Sequence, residues 1–126
     1  NSPEYICTWL GLAKIGVTPA LINSHLKKHP LTHCIQIVHS KMLLYSGNLS
    51  ETVKEISGDL NSLPLYAWGD VVSDTQLVAG AINLADALKA VSDAPPKPRQ
   101  RPVYRDKLLF IYTSGTTGLP KAAVIK

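Results

Sequence analysis

Tyr112-Thr113-Ser114-Gly115-Thr116-Thr117-Gly118-Leu119-Pro120-Lys121, near the C-terminal end of a chain of 126 residues, decides how the rest of the sequence is read. It follows Leu108-Leu109-Phe110-Ile111, a short β-prone apolar run preceded by Asp106 and Lys107, which predicts a buried strand running into a loop. Gly115 and Gly118 let the backbone take positive φ and approach a ligand with no Cβ in the way. Successive main-chain N–H groups in such a loop can form a nest for anionic oxygens. Thr113, Ser114, Thr116 and Thr117 add hydroxyls, and Lys121 adds a point charge suited to phosphate. The chemistry is that of a loop holding polyphosphate.

The spacing is not that of a Walker loop, which needs G-x-x-x-x-G-K-[ST] and then a helix. Here the glycines stand three apart, Lys121 follows Pro120, and Ala122-Ala123-Val124-Ile125 reads as a second strand. A hairpin-like phosphate flap is expected over residues 107–126. The bland alternative is an ordinary Gly/Ser/Thr hairpin loop.

From Tyr112 to Ala123 the sequence resembles, position by position, the phosphate-loop signature of the adenylate-forming (AMP-binding) superfamily. Within that superfamily it is most similar to the fatty acid transport proteins, or very-long-chain acyl-CoA synthetases. Tyr112, Ala122-Ala123 and a more distant likeness over residues 1–47 carry the narrower resemblance. The resemblance implies an α/β fold, here part of the N-terminal domain of an adenylate-forming enzyme. It also implies ATP-dependent fatty acid–CoA ligation through an acyl-adenylate, linked to fatty acid uptake, with Mg²⁺ on the phosphates and CoA as co-substrate. The ATP/AMP-binding set it implies is Tyr112, Thr113, Ser114, Gly115, Thr116, Thr117, Gly118, Leu119, Pro120 and Lys121. Of these, Tyr112 orients the loop rather than touching nucleotide. No catalytic base and no metal ligand is assigned. A ligase for another carboxylic acid, or a non-catalytic fatty acid transport or binding protein that kept the loop, are the rival readings.

The chain opens on Asn1 and stops five residues after Lys121, inside an expected strand. An apolar strand without sheet partners is a liability, so a fragment, inactive by itself, is expected. By resemblance the whole protein is membrane-associated, at the endoplasmic reticulum or plasma membrane with a cytosolic active site. Its anchoring segments would lie outside this sequence.

Apolar residues make up 45% and charged residues 17%, which excludes a disordered chain. The net charge of +4 is concentrated in Lys97, Arg99, Arg101, Arg105 and Lys107. A basic run can meet nucleic acid or an anionic membrane. Pro95, Pro96, Pro98 and Pro102 favour a solvated linker over residues 93–106, and no nucleic-acid partner is expected. Cys7 and Cys34 match no metal or redox spacing. No apolar run is long enough to span a bilayer.

Residues 1–92 read as helix–strand alternation, the grammar of a doubly wound parallel sheet. Asn1-Ser2-Pro3-Glu4 is a helix start, with Tyr5, Ile6, Trp9, Leu10 and Ala13 at helical spacing and Gly16 as the stop. Gly11 to Thr18 nearly imitates the Walker spacing, but Val17 stands where lysine is required. Residues 17–22 predict an edge strand carrying Pro19, and 24–40 a helix with Leu31, Cys34, Ile35 and Val38 as its stripe. His25, His29 and His33 stand four apart, but Pro30 interrupts them, so a metal site is not the expectation. Residues 41–45 predict a strand, Asn48-Leu49-Ser50 (also a glycosylation sequon) the capping place of a helix over 51–60, and 63–68 a third strand before a Gly69-Asp70 turn. Residues 71–80 carry no clear pattern, and 83–91 predict a helix capped by Asn83.

Overall fold

The computed structural model describes residues 2–69, 77–97, 101–114 and 118–126. The chain is α/β and falls into two compact units, Asn1–Asn23 with Ala94–Lys126, and Ser24–Asp93.

In the first unit, helix α1 (Pro3–Lys14) starts where the sequence predicts. The Ser2 hydroxyl accepts the Tyr5 N–H at 3.3 Å, Pro3 opens the first turn and Glu4 lies at the positive end of the helix dipole. Glu4's own backbone N–H and the Ser2 hydroxyl hold its carboxyl below the usual range. The predicted stop is equally clear. Gly16, at φ +77°, donates to the Ala13 carbonyl at 3.1 Å, while Val17 donates to the Leu12 carbonyl at 2.9 Å. That pair of bonds is a Schellman cap around a left-handed glycine. The stretch that imitates a Walker loop is therefore a helix end. The predicted apolar face is not a buried one, since Tyr5, Ile6 and Leu10 are exposed.

Strand β1 (Ala20–Leu21) is shorter than the expected run over 17–22. It pairs parallel with β5 (Leu109–Thr113), Ala20 opposite Phe110 and Leu21 opposite Ile111. Pro19, which has no N–H to lose, contributes only its carbonyl, accepting the Phe110 N–H at 2.8 Å. β5 in turn pairs antiparallel with β6 (Lys121–Ile125), giving the order β1-β5-β6.

In the second unit, helix α2 (Lys28–Ile37) begins later than expected. Ser24 and His25 lie in a turn ahead of it, and Lys28 takes φ +49°. Pro30 then falls in the first turn, where a missing N–H costs no helical bond. His25 is consequently off the helix that carries His29 and His33, whose ring centroids are 6.5 Å apart. Strand β2 (Leu43–Ser46) follows, then a 3₁₀ turn (Gly47–Leu49) and α3 (Ser50–Ile56).

The expected cap at Asn48-Leu49-Ser50 is not made by a side chain, since Leu49 stands at the N-cap with no side-chain cap hydrogen bond. Asn48 sits inside the 3₁₀ turn, and Ser50 donates its hydroxyl back to the Gly47 carbonyl at 2.7 Å. A second 3₁₀ turn (Ser57–Asp59) ends the expected helix early. The next strand, β3 (Leu65–Trp68), runs parallel to β2, with Leu43 opposite Leu65 and Ser46 opposite Trp68. Gly69 follows at φ +84°; Asp70 lies outside the described residues. β4 (Ile82–Asn83), which periodicity did not reveal, pairs parallel with β3 and leads into α4 (Leu84–Lys89). Its cap is the predicted one: Asn83 Oδ1 accepts the Ala85 N–H at 3.0 Å.

Among the described residues, every buried apolar side chain except Leu109 belongs to Ser24–Asp93. Leu31 and Ile35 of α2, Val53 and Ile56 of α3, and Leu65 and Ala67 of β3 form this core. Full burial of a side chain such as Ile56 contributes about 1.5–3 kcal/mol. Two helices over an all-parallel sheet thus close a core within this unit.

Candidate phosphate-binding hairpin

The decisive stretch lies between β5 and β6. The β-branched and aromatic run of residues 109–113 forms one strand and residues 121–125 the other, as expected. Their register puts Leu109 opposite Ile125, Ile111 opposite Ala123, and Thr113 opposite Lys121. Because side chains alternate along a strand, these pairs share one face. That face runs from buried Leu109 at its base to exposed Thr113 and Lys121 at the mouth of the loop. Tyr112, opposite Ala122, belongs to the other face and is half-buried.

Of the loop, Ser114 and Gly118 are exposed, and Leu119 and Pro120 are half-buried. Gly115, Thr116 and Thr117 lie outside the described residues. Gly118 has φ +90°, a conformation that L side chains rarely adopt, and a Cβ added there would meet nothing within 4 Å. The open space over Gly118 is a place where a ligand can approach backbone directly. From residue 107 to 126 the chain has Lys107, Lys121 and Lys126 and no carboxylate, so the hairpin's charge is wholly positive. The hydroxyls, backbone N–H groups and ammonium suit anionic oxygens. They offer no hard-cation cage, which would need carboxylates.

The base of the hairpin is held from a distance. The Thr18 hydroxyl donates to the Lys107 carbonyl at 3.1 Å, just before the Pro19–Phe110 bond, and Leu108 donates to the Ile125 carbonyl at 2.8 Å. Thr18 was not singled out by sequence reasoning. The only signal available was Pro19 in an extended run, which marks an edge strand but not its partner.

Comparison with known proteins places these features in a family. The sequence pattern of the family described as AMP-binding enzyme matches residues 1–126. Long-chain fatty acid transport protein 1 of Bos taurus is 44% identical over 98% of this chain, and its human counterpart 40% identical over 98%. Long-chain fatty acid transport protein 6 of Mus musculus is 38% identical over 99% of it. The chain spans 19% of the length of the first two relatives and 20% of the third. Among solved structures, an anthranilate CoA ligase in complex with anthranoyl-AMP superposes with a TM-score of 0.82 at 21% identity, covering 98% of this chain and 23% of that one. A red-emitting luciferase from Phrixothrix hirtus superposes with a TM-score of 0.76 at 19% identity, covering all of this chain and 31% of its own. These neighbours share the α/β fold of this chain. With the family pattern matched from the first residue to the last, the chain belongs to the AMP-binding enzyme family.

Proposed function

We propose that this chain is the phosphate-holding part of an ATP-dependent long-chain or very-long-chain fatty acid–CoA ligase that drives fatty acid uptake. The observation that carries this reading is 40–44% identity to long-chain fatty acid transport protein 1 across nearly the whole chain, loop included. The partition we infer is an α/β portion over residues 1–92, a linker over 93–106 and the hairpin over 107–126, all within one AMP-binding domain. Coupling to CoA traps the acid, so ligation and uptake are two views of one reaction. The reading also carries a membrane location with a cytosolic active site. Among the described residues no helix is long and apolar enough to cross a bilayer.

In this reading a fatty carboxylate attacks the α-phosphorus of ATP, pyrophosphate leaves, and the CoA thiol then displaces AMP from the acyl-adenylate. The task of the hairpin is the leaving group. Negative charge grows on pyrophosphate as the P–O bond breaks, and donors fixed in advance at that position lower the barrier. Thr113, Ser114, Thr116 and Thr117 supply hydroxyls, the backbone around Gly115 and Gly118 supplies N–H groups, and Lys121 supplies the charge. Tyr112, on the opposite face, orients the strand, and Leu119-Pro120 stiffens the return into β6. A Mg²⁺ bound with the nucleotide would neutralise part of the same charge. With no carboxylate in the hairpin, its protein ligands would come from elsewhere.

Pyrophosphate exchange by the complete protein, with a series of fatty acids, tests the reading. Exchange dependent on a long-chain acid supports it. Exchange only with an aryl or amino acid would favour a ligase for a different carboxylate, and none with any acid a binding protein that kept the loop.

A further inference from the structure

Residues 101–108, ahead of β5, are exposed without interruption, yet they are not shapeless. The Asp106 N–H donates to the Val103 carbonyl at 2.9 Å, and the Val103 N–H donates back to Asp106 Oδ2 at 2.9 Å. These two bonds close a four-residue turn and engage one oxygen of its one carboxylate with backbone. At the apex stand Tyr104 and Arg105, joined by a 2.8 Å hydrogen bond from Arg105 Nε to the Tyr104 hydroxyl, with the guanidinium carbon 5.3 Å from the ring centroid. Tyr104 is 81% exposed and Val103 61%, the two highest values alongside Val91 among the exposed large apolar residues. Arg101 and Lys107 flank the turn and are exposed. Over residues 97–107, five basic residues against Asp106 carry a charge equal to the whole chain's +4.

An exposed aromatic tip with an aliphatic neighbour, flanked by cations that outnumber its one backbone-bonded acid, has the chemistry of the membrane–water interface. Tyrosine favours the headgroup level, where its ring is apolar and its hydroxyl stays wet. Arginine and lysine are drawn to the negative surface of an anionic leaflet. We propose that the Val103–Asp106 turn is a docking surface for an anionic lipid bilayer, with Tyr104 and Val103 entering the headgroup layer and Arg101, Arg105 and Lys107 meeting lipid phosphates and carboxylates. Nucleic acid fits less well. A single aromatic already stacked by its own neighbour, beside an aliphatic valine and among prolines, makes no platform for successive bases. The proposal does not depend on which acid the enzyme activates, since lipid binding is read directly.

The test is sedimentation of the full chain with vesicles of phosphatidylcholine alone and of phosphatidylcholine mixed with phosphatidylserine, at low and high salt. Binding is expected only to the anionic vesicles and should weaken with salt. Arg101→Gln, Arg105→Gln and Lys107→Gln should each lower affinity roughly fivefold. V103S combined with Y104S should lower it on the order of tenfold while leaving the salt dependence in place. All five positions are exposed, and unchanged thermal melting of each variant separates lost docking from lost fold. A Tyr104→Trp variant should be quenched by brominated lipid in anionic vesicles. Equal binding to neutral vesicles, indifference to the Val103 and Tyr104 changes, or tighter binding to single-stranded RNA than to anionic vesicles would each overturn the proposal.

Discussion

Thr113 and Lys121 stand directly opposite one another across the β5–β6 ladder, so that a hydroxyl and an ammonium share one face at the mouth of the loop. If the proposed phosphate role holds, Lys121→Ala in the complete protein should remove one charge-assisted contact to the leaving group. The expected loss is about 1.5–3 kcal/mol, or roughly ten- to a hundredfold in rate. Pyrophosphate exchange at limiting ATP measures it. Lys121→Arg should recover part of the loss, and unaltered exchange in the alanine variant would remove Lys121 from the phosphate site.

Gly118 makes a different demand. Nothing crowds the space where its Cβ would be, but its φ of +90° excludes most side chains. Gly118→Val should therefore harm ATP use through altered loop backbone and a branched side chain in the path of phosphate. Its effect on the exchange rate should exceed its effect on the urea midpoint. A large stability loss with normal exchange would argue the reverse.

Two loops hold ordinary residues in left-handed backbone. Asn61 and Ser62 have φ +47° and +59°, and the Leu63 N–H donates to the Leu60 carbonyl at 2.9 Å across them. That is the geometry of a type I′ turn, for which Asn-Gly is the favoured pair. His39, at φ +52°, occupies the left-handed position of the Schellman cap that ends α2. Ser62→Gly and His39→Gly should each stabilise the chain by roughly 0.5–1 kcal/mol, relief of strain outweighing the added freedom of the unfolded state. Urea unfolding midpoints check both.

The two cysteines should react unequally. Cys7 is exposed on α1, whereas Cys34 is fully buried in α2, and burial pushes its thiol above the usual range. Alkylation under native conditions should label Cys7 quickly and Cys34 only as fast as the Ser24–Asp93 unit opens. The sign for stability follows from the raised pKa. Burial of the neutral thiol costs nothing extra below the ordinary cysteine range. As pH rises through and above that range, the unfolded thiol ionises first and stability falls. Cys34→Ala should flatten that alkaline slope in urea titrations across pH.

The parts of this protein that depend on near neighbours were legible in its sequence. Ser2-Pro3-Glu4 starts α1, Gly16 stops it and Asn83 caps α4, because each acts on backbone groups within one helical turn. The strand, loop and strand around residues 113–121 were legible for the same reason, since glycine and threonine chemistry is local and an antiparallel return needs only a short connection. Asn48-Leu49-Ser50 misled as a cap because α3 begins inside it: Leu49 stands at the N-cap and buried Ser50, already helical, bonds back to the Gly47 carbonyl of the preceding turn. The tertiary structure alone decided which strand supports the hairpin. Thr18 and Lys107 meet across 89 positions of sequence, and β1 joins β5 while β2, β3 and β4 form a sheet of their own. No periodicity encodes such a partner. Long-range pairing is settled by which edges can satisfy their backbone bonds and bury their faces together once the entropy of closing the intervening chain has been met.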